Sequence, residues 1–457
     1  MAFDIKSFLI SKKCIIVGCG REGISTYRYI RSILPELPLC IADQDLQLLI
    51  KHPTFTKDQH LSFQLGNTYL DQLDSFDLII KTPGVSLKTL QHLPAREKIT
   101  SQTDLFLRMY GKQVIGITGT KGKSTTSSLI RHIVLKHTDN TILVGNIGVP
   151  PFDMLEQINT ETIIVCELSS HQLQYITVAP HISILLNLYE EHLDHYNSYL
   201  EYQLSKLNIA LCQSSTDHFI YNQDDKRIAD LLKSHPTLSI KHPFSKLKPT
   251  INGAWLDEKI IHLSLEVLLD YYPLSSPRKL LGDHNLLNIM AAILACKLSG
   301  INDKAILNGI EDFKGLEHRI EFVGCYHEIN YYNDSISTIP QAAIAAVETL
   351  KNVDTLILGG FDRGIDYSIL IEYLKSATLR NVIFVGAAGA RIHQLLIEAG
   401  IDNKFFFSTN DYREVVAKAR EITKPGSICL LSPAAASYDQ FKNFEERGNY
   451  FKELVKA

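Results

Sequence analysis

The stretch GITGTKGKSTT, residues 116–126, lies between two apolar runs, one ending at Ile117 and one beginning at Leu129. Its core is typical of a phosphate-binding loop that joins a strand to a helix. In such a loop successive backbone N–H groups and a helix N-terminus face the anion. We expect Lys123 to reach the β- and γ-phosphates of a nucleotide and Ser124 to offer its hydroxyl to Mg²⁺. The predicted nucleotide-binding residues are Gly119, Thr120, Lys121, Gly122, Lys123, Ser124 and Thr125.

The loop departs from the strict pattern G-x-x-x-x-G-K-[ST], because Ile117 stands where the first glycine belongs. The plain alternative is a glycine-rich turn with surface lysines. The strand-like run before the loop and the Ser/Thr-rich helix start after it favour phosphate binding. The departure argues against a generic motor or GTPase loop.

Bulk composition is that of a water-soluble globular protein. The chain has 457 residues, enough for two to four domains, with 45% hydrophobic and 21% charged residues. The net charge of −4 gives no general attraction to nucleic acid or membrane. No apolar run approaches the roughly 18 residues of a membrane helix. The eight cysteines form no CxxC pair, and we interpret them as buried free thiols of a cytoplasmic protein.

Short apolar runs alternate with helix-length segments along the whole chain, which predicts an α/β fold with parallel sheets. Three blocks of this kind follow one another. Their predicted strands lie near residues 13–17, 39–42 and 77–80, then 113–118, 162–166 and 182–186, then 355–358, 382–385 and 427–431. The segment from about Lys233 to Leu280 is predicted to form loops and short strands in or beside the middle block.

Carboxylates follow the predicted strands of the middle block. Glu167 ends the run Thr162–Cys166, at the edge where a phosphate loop lies in doubly wound sheets, and we expect it to hold a metal. A second cluster, Tyr189–His195, contains two histidines and three acids. A zinc site would need a third neutral or thiolate ligand, and none is evident. Magnesium with phosphate and water oxygens fits better.

The segment Gly18–Gly23 reads G-x-G-x-x-G after a strand and before a helix, and Asp43 follows about twenty residues later. This is a dinucleotide-binding pattern, so a nicotinamide-dependent oxidoreductase is one interpretation. The physical content of the turn is a diphosphate on a helix N-terminus, which a UDP-linked ligand satisfies equally well.

Several stretches together resemble the Mur ligase family, in the family's order and over nearly the whole chain. They are GITGTKGKSTT, GNIG (145–148), ELSSHQL (167–173), HLDHY (192–196), HNLLN (284–288), HRIE (318–321), YNDS (332–335) and LLSPAAASYDQFKNFEERG (430–448). The phosphate loop alone indicates only the superfamily, which includes folylpolyglutamate synthetase. The ELSSHQL and C-terminal stretches are specific, and they resemble the D-glutamate-adding branch.

The resemblance implies three domains: a Rossmann-like UDP-binding domain over residues 1–105, a central ATP-binding domain over 106–315 and a Rossmann-like amino-acid-binding domain over 316–457. It implies ATP-dependent ligation of D-glutamate to UDP-N-acetylmuramoyl-L-alanine through an acyl phosphate, in peptidoglycan precursor synthesis. The alternatives, in addition to the oxidoreductase, are a sister ligase of the same family, folylpolyglutamate synthetase and a non-catalytic ATP-binding regulator. The implied protein is a cytoplasmic monomer.

By the same resemblance, Ser124, Glu167, His192 and a carbamylated Lys206 would hold two Mg²⁺ ions, and Lys123, His192 and Lys206 would be catalytic. From the residues alone, Lys206 reads as an exposed helix lysine. The implied roles of the other residues fall into three groups. Asn285, Asn288, Arg319 and Asp334 would bind ATP; Gly20, Arg21, Asp43, Asn146, Ser169 and His192 would bind the UDP substrate; Thr338, Arg363, Ser437 and Phe444 would bind D-glutamate. Arg363 stands where some members have lysine, and an arginine fork also suits a carboxylate.

Overall fold

A computed structural model describes residues 3–191, 194–265, 268–274 and 279–457 of the chain. They form three sheets flanked by helices, so the predicted α/β class is confirmed. The chain divides into two compact units, Met1–Ser276 with Leu286–Glu311 and Pro277–Asn285 with Asp312–Ala457. The predicted domain boundaries at 105/106 and 315/316 stay predictions.

The first sheet has five strands in the order β3-β2-β1-β4-β5, and every pair is parallel. Its strands are β1 Cys14–Val17, β2 Leu39–Asp43, β3 Leu61–Leu65, β4 Leu78–Lys81 and β5 Ile99–Thr100. The helices of this part are α1 Ile5–Leu9, α2 Arg21–Ile33, α3 Leu48–Lys51 and α4 Gln102–Tyr110. The central strands β1 and β4 are buried throughout, as the unbroken apolar runs in the sequence predict.

The middle sheet belongs to the same unit and has nine strands in the order β14-β13-β12-β11-β10-β9-β6-β8-β7. Its strands are β6 Val114–Thr118, β7 Thr141–Gly145, β8 Ile163–Glu167, β9 Ile182–Leu185, β10 His218–Asn222, β11 Ile240–Ser245, β12 Ala254–Asp257, β13 Ile260–Leu265 and β14 Leu268–Pro273. Its helices are α5 Lys123–Val134, α6 Ser170–Leu173, α7 Tyr199–Leu211, α8 Lys226–Ser234, α9 Asn285–Leu298 and α10 Asp303–Asp312.

The segment predicted as loops and short strands does form short strands, and they extend this sheet. Strand β11 pairs in parallel with β10, and β12, β13 and β14 continue it as an antiparallel meander. Strand β13 alternates partly between inward and outward residues, with Ile261 and Leu263 buried. Part of the Pro and Ser content that suggested loops lies inside the sheet, since Pro243 and Ser245 are buried residues of β11.

The third sheet lies in the second unit, with six strands in the order β15-β16-β20-β17-β18-β19. Its strands are β15 Glu321–Tyr326, β16 Ile329–Asn333, β17 Val353–Gly359, β18 Asn381–Val385, β19 Phe405–Ser408 and β20 Ile428–Leu431. Only β15 is antiparallel to its neighbour. The helices are α11 Pro340–Leu350, α12 Ser368–Ser376, α13 Gly386–Glu398, α14 Tyr412–Ile422 and α15 Phe444–Lys456.

All eight cysteines are free thiols, and six of them are buried. Cys212 is half-buried and Cys325 is exposed, so the prediction of buried thiols is wrong for Cys325. Cys325 lies on the edge strand β15, whose side chains alternate between the sheet and the solvent.

Candidate functional site

The phosphate-binding loop connects β6 to α5, as the sequence predicts. Strand β6 is buried over its whole length, and α5 begins at Lys123 directly after Gly122. The loop is thus at the carboxyl end of a central parallel strand, with a helix N-terminus behind it. A loop in this position presents backbone N–H groups and the positive end of a helix dipole to an anion.

Two glycines of the loop are required by space and by backbone conformation. Gly122 has φ +88°, and a Cβ there would lie 2.6 Å from Oδ1 of Asn288. Gly119 has φ +155°, and a Cβ there would lie 2.9 Å from Cβ of Leu186. Asn288, predicted to bind ATP, therefore packs directly against the loop. A side chain at either glycine would move the backbone that faces the phosphates.

Lys123 and Lys206 both point at the first residue of the loop. Nζ of Lys123 donates to the carbonyl oxygens of Gly119 at 2.9 Å and Thr120 at 3.0 Å. Nζ of Lys206, on α7, donates to the same Gly119 carbonyl at 2.9 Å. Lys206 is 2% exposed, so the interpretation as a surface lysine is wrong. Burial, and then the charge of Lys123, hold the pKa of Lys206 well below its usual range.

The remaining loop residues are tied to the segment that follows β9. The backbone N–H of Lys121 donates to Asn187 Oδ1 at 2.8 Å, and its Nζ pairs with Glu191 at 2.7 Å. The hydroxyl of Thr120 lies 2.8 Å from the hydroxyl of Tyr202 on α7. These contacts fix the loop from both sides, so Thr120 and Lys121 have a structural role in addition to the ligand binding predicted for them.

Glu167 is fully buried at the carboxyl end of β8, beside the loop strand. The register pairs it with Ile117 of β6 on one side and Gly145 of β7 on the other. Its Oε1 accepts a hydrogen bond from Asn146 Nδ2 at 2.7 Å. Its Oε2 is buried, and no donor among the described residues reaches it. A buried carboxylate oxygen left without a donor is the form a cation ligand takes.

The donor set around the loop suits Mg²⁺ better than a closed transition-metal site. Within the described ranges, no three His, Cys, Asp or Glu side chains are grouped as metal ligands. Ser124, in the first turn of α5, and Glu167, at the end of β8, carry oxygen donors of the hard type that Mg²⁺ prefers. The predicted ligand His192 lies outside the described residues.

Asn146, predicted to contact the sugar-peptide substrate, binds Glu167 twice. Its side chain donates to Oε1, and its backbone N–H donates to the Glu167 carbonyl at 2.9 Å. The structure therefore places Asn146 as a support for the carboxylate. Ser169 caps α6 in a reciprocal arrangement with Gln172, whose backbone N–H donates to the Ser169 hydroxyl at 3.2 Å.

A cleft of about 260 Å³ opens at the carboxyl ends of β1, β2 and β4 in the first sheet. Its lining consists of Gly18, Cys19, Gly20, Arg21, Glu22, Asp43, Thr82, Pro83, Gly84 and Val85. Three of the predicted UDP-binding residues are thus brought together. Both Gly18 and Gly23 are fixed by close packing, since a Cβ at either would lie 2.1 Å from an oxygen. A Cβ at Gly20 would meet nothing within 4 Å.

Asp43 and Arg21 also hold the cleft together. Asp43 accepts a hydrogen bond from the Cys19 backbone N–H at 2.6 Å, which ties the glycine turn to the end of β2. Arg21 donates from Nη2 to the Gly148 carbonyl at 2.7 Å, in the GNIG turn of the middle sheet. Arg21 therefore connects the cleft of the first sheet to the end of the middle sheet at which Glu167 lies.

In the second unit, Asp334 is buried at the end of β16. Its carboxylate accepts from the Ile320 backbone N–H at 3.1 Å and from the Ser432 hydroxyl at 2.6 Å. Burial raises the pKa of Asp334 to about 6, although hydrogen bonds from serines oppose the shift. Arg319 is exposed one residue before Ile320. Asn285 is buried in the same unit, at the start of α9.

The four predicted D-glutamate residues lie on loops at the carboxyl edge of the third sheet and at the start of α15. Arg363 is exposed, and its Nη2 donates to the Thr338 carbonyl at 2.9 Å. Ser437 is 3% exposed and follows Ala436, whose carbonyl accepts from the Phe361 backbone N–H at 2.9 Å. Phe444 begins α15, and its carbonyl accepts from the Ser335 hydroxyl at 2.8 Å.

Arg447 is a residue of this unit that the sequence interpretation missed. It is 1% exposed, and its guanidinium donates to the Ser335 hydroxyl and to the carbonyls of Ser335, Ala435 and Ala436. It thereby fixes the turn that presents Ser437. An arginine three residues into a helix reads as a surface residue in the sequence, and only its place in the C-terminal motif could have singled it out.

The chain is similar to known proteins over nearly its whole length. The Mur ligase middle domain model matches residues 117–296. The UDP-N-acetylmuramoylalanine–D-glutamate ligase of Desulfitobacterium hafniense (strain Y51) is 33% identical over 98% of this chain and 98% of its own. The protein of that name from Clostridium kluyveri is 34% identical over 99% of this chain and 98% of its own.

The chain belongs to the Mur ligase family. The resemblance inferred from the motifs is thus confirmed at the level of the family. It extends from the first sheet to the last helix, because the relatives align over nearly their full length.

Solved structures of the family have the same fold. The UDP-N-acetylmuramate-alanine ligase of Thermotoga maritima matches with a TM-score of 0.54 at 19% identity, covering 97% of this chain and 99% of its own. A MurF structure from Acinetobacter baumannii matches with a TM-score of 0.58 at 15% identity, covering 100% and 93%. At these identities the likeness concerns the fold alone. In the described part of this chain, no helix has the length and apolar character needed to cross a bilayer.

Proposed function

We propose that this protein is an ATP-dependent ligase that joins D-glutamate to UDP-N-acetylmuramoyl-L-alanine in peptidoglycan precursor synthesis. The observation that carries the proposal is the convergence of Lys123 and Lys206 on the phosphate loop beside the buried Glu167. The names of the full-length relatives supply the substrates. The protein acts as a cytoplasmic monomer in this proposal.

The loop Gly119–Thr125 binds the triphosphate of ATP. Its backbone N–H groups and the start of α5 face the phosphates, and Lys123 leaves the carbonyls it now contacts to reach the β- and γ-phosphates. Ser124 and Glu167 hold Mg²⁺, together with His192. When bound, Mg²⁺ supplies charge neutralisation for phosphoryl transfer. Asn146 keeps Glu167 aimed at the loop by its hydrogen bond to Oε1.

Lys206 is carbamylated in the active protein and serves a second Mg²⁺. Its amine is enclosed beside Lys123 and near Glu167, and burial disfavours the ammonium form. A neutral amine attacks CO₂ and the nitrogen loses one proton, and the product is an anionic carbamate with two oxygens on a long arm. The charges of Lys123 and Lys121, which repel an ammonium at this position, attract a carbamate.

The cleft of the first sheet binds the uridine diphosphate. The start of α2 behind Gly20 faces the diphosphate, Arg21 neutralises charge, and Asp43 lies toward the uracil or ribose. Ser169 and Asn146 line the route of the sugar and the peptide. A diphosphate of this kind accounts for the G-x-G-x-x-G pattern without a nicotinamide cofactor.

The second unit supplies the amino acid. Arg363 pairs with a carboxylate of D-glutamate, and Ser437, Phe444 and Thr338 complete the pocket. Arg319, Asp334, Asn285 and Asn288 complete ATP binding. The functional domains in this proposal are 1–105 for UDP, 106–315 for ATP and 316–457 for the amino acid.

The reaction proceeds in two transfers. The L-alanyl carboxylate oxygen attacks the γ-phosphorus of ATP, ADP leaves, and an acyl phosphate results. The amine of D-glutamate then attacks the acyl carbon, and the C–O bond to phosphate breaks as the amide forms. Activation is needed because the free carboxylate is charged and resonance-stabilised, so an amine does not displace oxide from it.

An isotope experiment tests this sequence. The L-alanyl carboxylate is labelled with ¹⁸O, and the full chain is supplied with ATP, Mg²⁺ and D-glutamate. The proposal predicts one ¹⁸O atom in each inorganic phosphate released and a product heavier by one glutamyl group. Release of unlabelled phosphate with product formation would contradict the acyl phosphate, and absence of product would contradict the ligase.

A further inference from the structure

A carboxyl group to which the proposed function gives no role is buried beside the cleft of the first sheet. Glu22, in the first turn of α2, lines the cleft. Its Oε1 accepts a hydrogen bond from Gln172 Nε2 at 2.7 Å. Its Oε2 is buried, and within the described residues no donor reaches it. A buried carboxylate in the first turn of α2 places a negative charge close to the helix start at which the proposed diphosphate would add more.

The position of Glu22 is fixed from several sides. The Ser169 backbone N–H donates to Gln172 Oε1 at 2.9 Å, so the Gln172 Nε2 group is the one turned toward Glu22. The Glu22 carbonyl accepts from Gln102 Nε2 at 3.1 Å and from the Thr26 hydroxyl at 2.7 Å. The carboxyl group therefore belongs to the packed junction between α2, α4 and α6.

The charged groups around Glu22 come from three elements. Lys81, on β4, is 2% exposed and donates to the Thr82 carbonyl at 3.2 Å. Arg21, on α2 itself, is engaged with the Gly148 carbonyl. On β8, Glu167 is fully buried, and burial, followed by the charges of Glu22 and Glu167, raises the pKa of the Cys166 thiol.

These surroundings leave Glu22 near the balance between its two forms. Burial raises the pKa of Glu22 to about 7, while the hydrogen bond from Gln172 and the charges of Lys81 and Arg21 oppose the shift. Burial lowers the pKa of Lys81 to about 8, so this buried lysine loses its positive charge as the pH rises above neutral. A diphosphate in the cleft brings two negative charges and favours the neutral acid further.

We propose that Glu22 is a proton-linked specificity residue: the cleft accepts the diphosphate of the nucleotide sugar when Glu22 is the neutral acid, and binding takes up one proton at Glu22. The inference rests on the proposed function, because it needs a diphosphate in this cleft. A proton taken up at Glu22 makes the affinity for the nucleotide sugar fall as the pH rises. A ligand with a neutral group in place of the diphosphate would not show this fall in affinity.

The test is titration calorimetry of the full chain with UDP-N-acetylmuramoyl-L-alanine between pH 6 and 9, in buffers of different ionisation heat. Wild-type protein is expected to take up close to one proton per site in the upper part of this range. Its Kd is expected to rise about tenfold per pH unit there, the slope of a single linked proton. The diester phosphates of the ligand do not titrate in this range, so the proton belongs to the protein.

The matched variant is Glu22→Gln, which keeps an oxygen to accept from Gln172 and is permanently neutral. It is expected to bind more tightly than wild-type protein at pH 8.5 and to take up about one proton fewer, the remaining uptake belonging to Lys81, whose pKa burial lowers to about 8. Glu22→Ala loses the hydrogen bond but is expected to show the same reduced uptake. A purely structural role for Glu22 would instead leave the proton uptake of both variants equal to that of wild-type protein.

Wild-type binding without proton uptake, or equal uptake in Glu22→Gln, would overturn the inference and leave the proposed function standing. Absence of binding by folded protein at every pH would overturn the cleft assignment itself, and the inference with it. Should Glu22→Gln fail to fold, the proton uptake of Glu22→Ala relative to wild-type protein decides, because Lys81 also titrates in this range.

Discussion

Lys123 and Lys206 donate hydrogen bonds to the same carbonyl oxygen, that of Gly119, each over 2.9 Å. Two ammonium groups on one acceptor repel each other, and one of them is enclosed in the protein. In the proposed function, this repulsion is relieved when Lys123 turns to a phosphate and Lys206 becomes an anionic carbamate.

Carbamylation of Lys206 is directly observable. Protein equilibrated with ¹³C-bicarbonate is expected to give one carbamate carbon resonance, and Lys206→Arg is expected to lose it together with activity, by about 100-fold or more. Lys121, which is exposed in the same loop region, provides the control. A resonance that persists in Lys206→Arg and vanishes in Lys121→Arg would contradict the assignment.

Replacing Glu167 by Gln removes the negative charge and keeps nearly the same side-chain shape. The variant keeps an oxygen for Asn146 Nδ2 but loses the negative charge, so kcat is expected to fall about 100-fold and the Mg²⁺ concentration for half-maximal rate to rise. The measurement is the initial rate over a Mg²⁺ titration. Glu190→Gln, at an exposed position after β9, is expected to change the rate less than about twofold. Equal effects of the two substitutions would refute a metal role for Glu167.

The sequence predicted the strand–loop–helix at 114–134 and placed Glu167 at a strand end, because both follow from local pattern and from the geometry of parallel sheets. It did not reveal that Lys206 is buried, since a lysine on a helix reads as exposed unless the partner surface is known. The burial of Arg447 was missed for the same reason. Neither the Gln172–Glu22 bond nor the Asn146–Glu167 bond is visible from spacing, because each joins residues from separate elements.

Gly448 is expected to tolerate no side chain. A Cβ at this position would lie 2.2 Å from Nδ1 of His318 and 2.9 Å from Nδ2 of Asn333, which are themselves hydrogen-bonded at 2.9 Å. Gly448→Ala is expected to lower the stability of the second unit by about 3 kcal/mol, the cost of overpacking a buried site. Asn449→Ala, on the exposed side of α15, is expected to stay within about 0.5 kcal/mol. Chemical denaturation of both variants measures the difference, and similar stabilities would contradict the packing.

Asp334 makes the stability of the second unit depend on pH. Its pKa in the folded protein, about 6, lies above the ordinary value of 3.8, so the folded state binds the proton more tightly than the unfolded state. This contribution is present below pH 3.8 and is lost as the pH rises through 6. Asp334→Asn cannot ionise, so its stability relative to wild type is expected to increase by up to about 3 kcal/mol between pH 4 and 7.

Chemical denaturation at pH 4, 5, 6 and 7 measures the Asp334 effect. Asp402→Asn, at an exposed position, is the control and is expected to change with pH by less than about 0.5 kcal/mol relative to wild type. A stability difference between Asp334→Asn and wild type that is constant over this range, or that falls with pH, would contradict a buried carboxyl that resists ionisation.

The most direct test of the account is phosphate release from ATP by the full chain with UDP-N-acetylmuramoyl-L-alanine, Mg²⁺ and bicarbonate. Three parallel reactions contain D-glutamate, L-glutamate or no amino acid. The account predicts release that depends on D-glutamate, with a product heavier by one glutamyl group. Release that is indifferent to both glutamates, from folded protein, would contradict it.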